Sequence, residues 1–140
     1  LASTLMTKFK KEYIANPSHV SLRPDFAGLI YPVISMQNDI THKGSKMNLL
    51  GENPSEELVQ SFSSDLQVTP EVCPVFFVHA KDDTAVPIEN SYRMMAALDK
   101  VHVPNTLYTF EQGGHGFGLI NKTSEKKWFD AFLSWVATLN

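Results

Sequence analysis

Pro74-Val75-Phe76-Phe77-Val78-His79-Ala80-Lys81-Asp82-Asp83-Thr84 is an apolar run that ends abruptly in charge. A run without polar alternation marks a strand covered on both faces, as in a parallel sheet. The flanks repeat the theme. Downstream, Pro87-Ile88-Glu89 leads into a helix over about residues 90–102, with Tyr92, Met95, Ala96 and Leu98 available for a buried stripe. A third strand follows at Thr106-Leu107-Tyr108-Thr109-Phe110, then the flexible turn Gly113-Gly114-His115-Gly116-Phe117-Gly118. The last segment, from about Ser124 to Leu139, reads as an amphipathic helix burying Trp128, Phe129, Phe132, Trp135 and Val136.

Upstream, Phe26 to Ile34 is a second continuous apolar run and a second strand. Residues 35–54 are polar and rich in Asn, Lys and Gly, which predicts a long surface loop. Ser55 then caps a short helix with Glu56 and Glu57 in its first turn. Leu1, Leu5, Met6 and Phe9 fall at helical spacing, and Asn16-Pro17-Ser18 ends that pattern. The order α-β-(loop, α)-β-α-β-α implies an α/β fold: three parallel strands, right-handed crossovers and flanking helices in three layers. Leu1 reads as a helix entered partway through, so the expectation is a fragment, with residues 1–140 forming part of a larger domain.

Composition narrows the partners. With 43% hydrophobic and 19% charged residues and a net charge of -3, the chain is of ordinary globular type. Its lysines are scattered, no basic stripe interleaves with aromatics, and nucleic acid is a poor partner. No apolar run approaches the roughly 18 residues that span a bilayer, so no membrane partner is expected. Cys73 is alone, which excludes an intrachain disulfide and Cys₂ or Cys₄ zinc chemistry. His19, His42 and His102 lack partners at ligand spacing, so neither metal nor organic cofactor is implied.

Ligands of open parallel sheets bind outside the carboxyl ends of the strands. Two polar clusters fall at that edge, Asp82-Asp83 and the glycine-bracketed His115. A carboxylate fixes the tautomer of an imidazole and stabilises the imidazolium, which makes the pair a general base. Singly, an Asp pair is commonly a turn device and a His among glycines a solvated turn residue. Their order and spacing together favour the catalytic reading. His79 reads as a satisfied core or turn histidine, and His42-Lys43-Gly44-Ser45 as surface loop. Trp128 and Trp135, at helical spacing, read as core or interface anchors rather than a sugar platform.

The stretch His79-Ala80-Lys81-Asp82-Asp83-Thr84-Ala85-Val86-Pro87, followed by a helix, a strand and Gly113-Gly114-His115-Gly116-Phe117, resembles the C-terminal half of the α/β-hydrolases. There the triad order is Ser, Asp, His. The chain is similar to bacterial carbohydrate esterases of the acetylxylan esterase or xylanase-like lipase/esterase group, whose pattern Ser21-Leu22-Arg23-Pro24-Asp25-Phe26-Ala27-Gly28-Leu29-Ile30-Tyr31-Pro32-Val33 also resembles. The resemblance makes Asp83, with Val86 three residues on, the triad acid, Asp82 a turn or cap residue, and His115 the base. It also implies that the nucleophile elbow and the oxyanion-hole segment lie upstream of Leu1. Ser3 has no glycine bracket and reads as helix. The implied activity is hydrolysis of a small-molecule or oligosaccharide ester, such as acetylated xylan. A serine peptidase of the prolyl-oligopeptidase kind is the second reading, and a fragment without catalysis of its own the third. Self-association, or pairing with the absent N-terminal half through Phe26–Ile34, is the expected partnership.

Overall fold

The computed structural model describes residues 1–139. Three strands, β1 (Ala27–Ile30), β2 (Val75–Ala80) and β3 (Asn105–Phe110), form one sheet in the order β1-β2-β3. All pairs are parallel. Five helices accompany them: α1 (Ala2–Lys8), α2 (Lys43–Leu50), α3 (Glu56–Phe62), α4 (Glu89–Lys100) and α5 (Trp128–Val136). Short 3₁₀ turns follow α3 at Ser64–Leu66 and α5 at Ala137–Leu139.

Strand β2 explains the layers. Its side chains alternate across the sheet with period two. Val75 and Phe77 join Met6 of α1 and Met94 and Leu98 of α4 on one face. Phe76, Val78 and Ala80 join Trp128, Phe132 and Trp135 of α5 on the other. The whole strand is buried, as its unbroken apolar run requires. Phe76 and Phe77 are the large fillers, and truncating either to Ala should cost about 3–5 kcal/mol.

The N-terminal strand is shorter than the apolar run around it. Phe26 remains 37% exposed, and pairing stops at Ile30 because Tyr31 turns left-handed (φ 38) before Pro32, which has no donor for a ladder. Residues 31–34 leave the sheet, and Ile34 packs into the α1/α4 face instead. Residues 35–54 are not one loop: they contain α2. His42 Nδ1 accepts the Ser45 N–H at 3.2 Å to cap it, and Gly51 (φ 83) ends it. None of its residues is buried, so it carries no apolar stripe for periodicity to find.

Helix α4 buries Asn90, Ser91, Met94 and Leu98, not the stripe through Tyr92, which is 45% exposed, and Ala96. Polar groups sit on its inner face because they have partners there. Asn90 Oδ1 accepts the Ile34 and Ser35 N–H groups at 3.0 and 3.1 Å, and its Nδ2 donates to Ile40 O at 2.9 Å. Helix α5 starts at Trp128 rather than near Ser124, and Phe129 lies on its outer side. On the opposite flank of the sheet, Ala27 and Tyr31 donate their N–H groups to Pro74 O and Val78 O of the β2 side. By the two-residue period Gly28 and Ile30 turn theirs outward, where no described strand pairs with them.

Candidate active site

The register sets Ala80 opposite Phe110, so the loops after β2 and β3 leave the sheet side by side. Three successive residues of the first loop then reach the second. Lys81 Nζ donates to Glu111 Oε1 at 2.6 Å, Asp82 Oδ1 accepts the Gly114 N–H at 2.8 Å, and Asp83 Oδ2 lies 2.8 Å from His115 Nδ1. The Glu111 contact raises the Lys81 ammonium above its usual range, and the Gly114 N–H holds the Asp82 carboxyl below its own. Asp82 therefore steadies the backbone beside the histidine, while Asp83 alone holds the ring.

Asp83 is 5% exposed, and every contact of its carboxylate is local or to His115. Oδ1 accepts the Ala85 and Val86 N–H groups at 3.0 and 2.9 Å, an Asx-type turn that fixes the carboxylate plane. Oδ2 faces the His115 imidazole, with His79 Nε2 a further 3.3 Å contact. Because Oδ2 is an acceptor, Nδ1 of His115 carries the proton and Nε2 becomes the basic nitrogen of the neutral ring. No hydrogen bond among the described residues uses that Nε2. The arrangement can accept a proton at Nε2 and stabilise the resulting cation through Asp83.

The histidine loop is held by means that hydrophobic patterning does not reveal. Buried Asn121 donates to Gln112 O at 2.7 Å and accepts the Thr123 N–H at 3.0 Å, joining the loop's two ends. A Cβ on Gly113 would lie 2.5 Å from Asn121 Nδ2, and Gly114, at φ 58, presents its N–H to Asp82 from the left-handed region. Trp128 Nε1 donates to Gly118 O at 2.9 Å. Tyr31 meets the His115 ring edge-on, with centroids 4.7 Å apart, and Phe117 at 4.9 Å. Its left-handed backbone is strained for an aromatic residue, and that turn is what aims the ring at the histidine.

A groove of about 630 Å³ opens beside Tyr31, walled by Pro32, Val33, α1 and the Ser45 and Leu49 side of α2. The His42–Ser45 stretch is thus a helix start that contributes Ser45 to this groove. Ser3 is buried in α1 and accepts the Ser64 hydroxyl at 3.1 Å. Among the described residues no three His, Cys, Asp or Glu side chains gather as a metal-holding group. Asn121, Tyr31 and the Asp82–Gly114 bond escape sequence reasoning. The left-handed Tyr31 has a faint sequence trace, the Pro that follows it.

Residues 27–139 match the model of the prolyl oligopeptidase family. The chain is 37% identical over 115 residues to an endo-1,4-beta-xylanase B of Butyrivibrio fibrisolvens, a match covering 81% of this chain and 18% of that one. An acetylxylan esterase of Xylanibacter ruminicola is 33% identical over 112 residues, covering 75% of this chain and 23% of the relative. Among solved structures, the acetyl ester-xyloside bifunctional hydrolase of Caldicellulosiruptor lactoaceticus superposes with a TM-score of 0.90 at 40% identity. That superposition covers 99% of this chain and 52% of the hydrolase. The chain therefore spans about half the length of this structural relative and under a quarter of the two curated ones.

Proposed function

Because the chain belongs to the prolyl oligopeptidase family of α/β-hydrolases, we propose that it supplies the acid and the base of a serine esterase that deacetylates carbohydrate such as acetylated xylan. The observation that carries this reading is the 2.8 Å contact between buried Asp83 and His115 at the carboxyl edge of the sheet. The substrate class rests on relatives whose names describe acetylxylan and acetyl ester-xyloside hydrolysis, at 33% and 40% identity.

No serine of the chain has glycine two residues before and two after it, the bracket of a nucleophile elbow. The nucleophile is assigned to a segment outside these 140 residues. In the assembled site His115 Nε2 removes the serine proton as the oxygen attacks the ester carbonyl. Asp83 stabilises the imidazolium, which then protonates the departing sugar oxygen to release it as a hydroxyl. Water repeats the cycle on the acetyl-enzyme and releases acetate. Residues 1–140 alone lack a nucleophile and should hydrolyse p-nitrophenyl acetate no faster than their His115→Ala variant.

The family's description favours a second reading, cleavage of peptides. One comparison separates the two: acetate release from acetylated xylan against cleavage of a proline-containing peptide by the full-length protein, each repeated with His115→Ala. Acetate release lost in the variant supports the esterase. Peptide cleavage without acetate release overturns it.

A further inference from the structure

His79 is 0% exposed and sits four residues before Asp83, at the end of β2. A buried polar ring must be satisfied, and both nitrogens are. Nδ1 lies 2.8 Å from Ser91 Oγ on α4, and Nε2 lies 2.9 Å from Val86 O and 3.3 Å from Asp83 Oδ2. The two neighbours of Nε2 are acceptors, a carbonyl and a carboxylate, so Nε2 must carry the proton. Nδ1 is then the acceptor of the neutral ring, and Ser91 donates to it. Burial pushes the His79 imidazole below its usual range, which keeps it neutral beside the carboxylate.

The Asp83 carboxylate consequently has four contacts. Two backbone N–H groups hold Oδ1, and two histidines approach Oδ2, His115 at hydrogen-bond distance of 2.8 Å and His79 at 3.3 Å. Val86 closes the ring by donating its N–H to Oδ1 and accepting from His79 at its carbonyl. The Ala85 and Val86 N–H groups fix the carboxylate plane through Oδ1, and among the described residues His79 adds the one contact at Oδ2 besides His115 itself.

We propose that His79 is a positioning residue for the Asp83–His115 pair: its Nε2–H, bonded to Val86 O and with the tautomer set by Ser91, also faces Asp83 Oδ2 at 3.3 Å, and this longer second contact keeps Oδ2 in line with His115 Nδ1. The proposal rests on the esterase reading for its consequence in rate, but the geometry can be tested without any turnover. A purely structural role would require only that the cavity be filled and Ser91 satisfied. A positioning role requires a donor at the Nε2 position.

Two substitutions separate these roles. The amide of His79→Asn reaches the Nδ1 position and Ser91 but falls short of Asp83, whereas His79→Gln extends an amide donor to the Nε2 position. In full-length protein carrying each variant, kcat should fall about tenfold for Asn, the value of one hydrogen bond to a charged group, with KM within about twofold. The Gln variant should recover most of the loss. Nitrogen-15 spectra of the histidine rings supply the readout independent of activity. They should give His79 as the Nε2–H tautomer, with the low-field Nδ1 proton of His115 sharp in the parent and Gln proteins and broadened in the Asn protein. Equal losses for Asn and Gln, or an Nδ1–H tautomer at His79, would overturn the proposal. If the Asn variant does not fold, the Gln variant decides: a kcat more than about tenfold below the parent, or a broadened His115 Nδ1 proton, would overturn the proposal. A parent that releases no acetate but shows these spectra would sink the esterase reading and leave the positioning role standing.

Discussion

Asp83→Asn changes one atom and tests the whole arrangement. The two N–H groups of Ala85 and Val86 face Oδ1, so they select the oxygen of the new amide for that position. The amide nitrogen must then replace Oδ2, pointing its hydrogens at His115 Nδ1 and His79 Nε2. Both nitrogens are donors in the parent. His115 can escape the clash by moving its proton to Nε2, which removes the basic lone pair from the position where the nucleophilic serine would need it. His79 cannot escape, because Val86 O also requires its Nε2–H. The charge-assisted bond to His115 is worth about 1.5–3 kcal/mol, and a neutral bond worth about 1 kcal/mol replaces it, so folding stability should drop by about 0.5–2 kcal/mol. The analogous exchange in the serine protease template lowers kcat about 10⁴-fold through the wrong tautomer, and we expect about 10³- to 10⁴-fold for acetate release here. Ring nitrogen-15 shifts report the tautomer, and acetate release by full-length protein reports the rate. An Asn variant that keeps the Nδ1–H tautomer at His115, or stays within tenfold of parent activity, would refute the assignment of Asp83 as orienting acid.

Asp82→Ala should leave the Asp83–His115 contact in place but release the Gly114 N–H, which hydrogen exchange would register as faster exchange at that amide; unchanged exchange would show that Asp82 does not hold the loop. Burial lowers the His79 pKa below the unfolded value near 6.5, so the unfolded chain binds more protons below that pH. The stability from keeping His79 neutral is fully present above about pH 6.5 and declines as pH falls through the window beneath it; denaturant midpoints should show this slope in the parent and lose it in His79→Gln. The outward N–H groups of Gly28 and Ile30 offer a strand edge to other chains, so isolated residues 1–140 should self-associate by light scattering. A monodisperse monomer whose amides at 27–30 exchange as slowly as those at 75–80 would show that the edge is not used.

The pattern of residues along the chain was enough to place the sheet and the neighbourhood of the site. An unbroken apolar run such as Val75–Ala80 has no wet face, so it can only be a strand covered twice, and the helices between such runs force parallel pairing. Charge placed immediately after two such strands must then collect at one edge, which brings Asp82, Asp83 and His115 to the same side of the sheet. What the pattern could not carry was decided by partners distant in the chain. Helix α2 has no buried side and hence no period to read, while Asn90 and Ser91 of α4 turn inward because Ile34, Ile40 and His79 bond them there. The division of labour between adjacent acids is likewise tertiary. Which carboxylate meets the imidazole and which meets the Gly114 N–H depends on the register Ala80 opposite Phe110 and on the turn that Ala85 and Val86 close around Asp83. Local sequence fixes which groups are available; only the packed chain brings donor and acceptor within the 3 Å at which their protonation and orientation are settled.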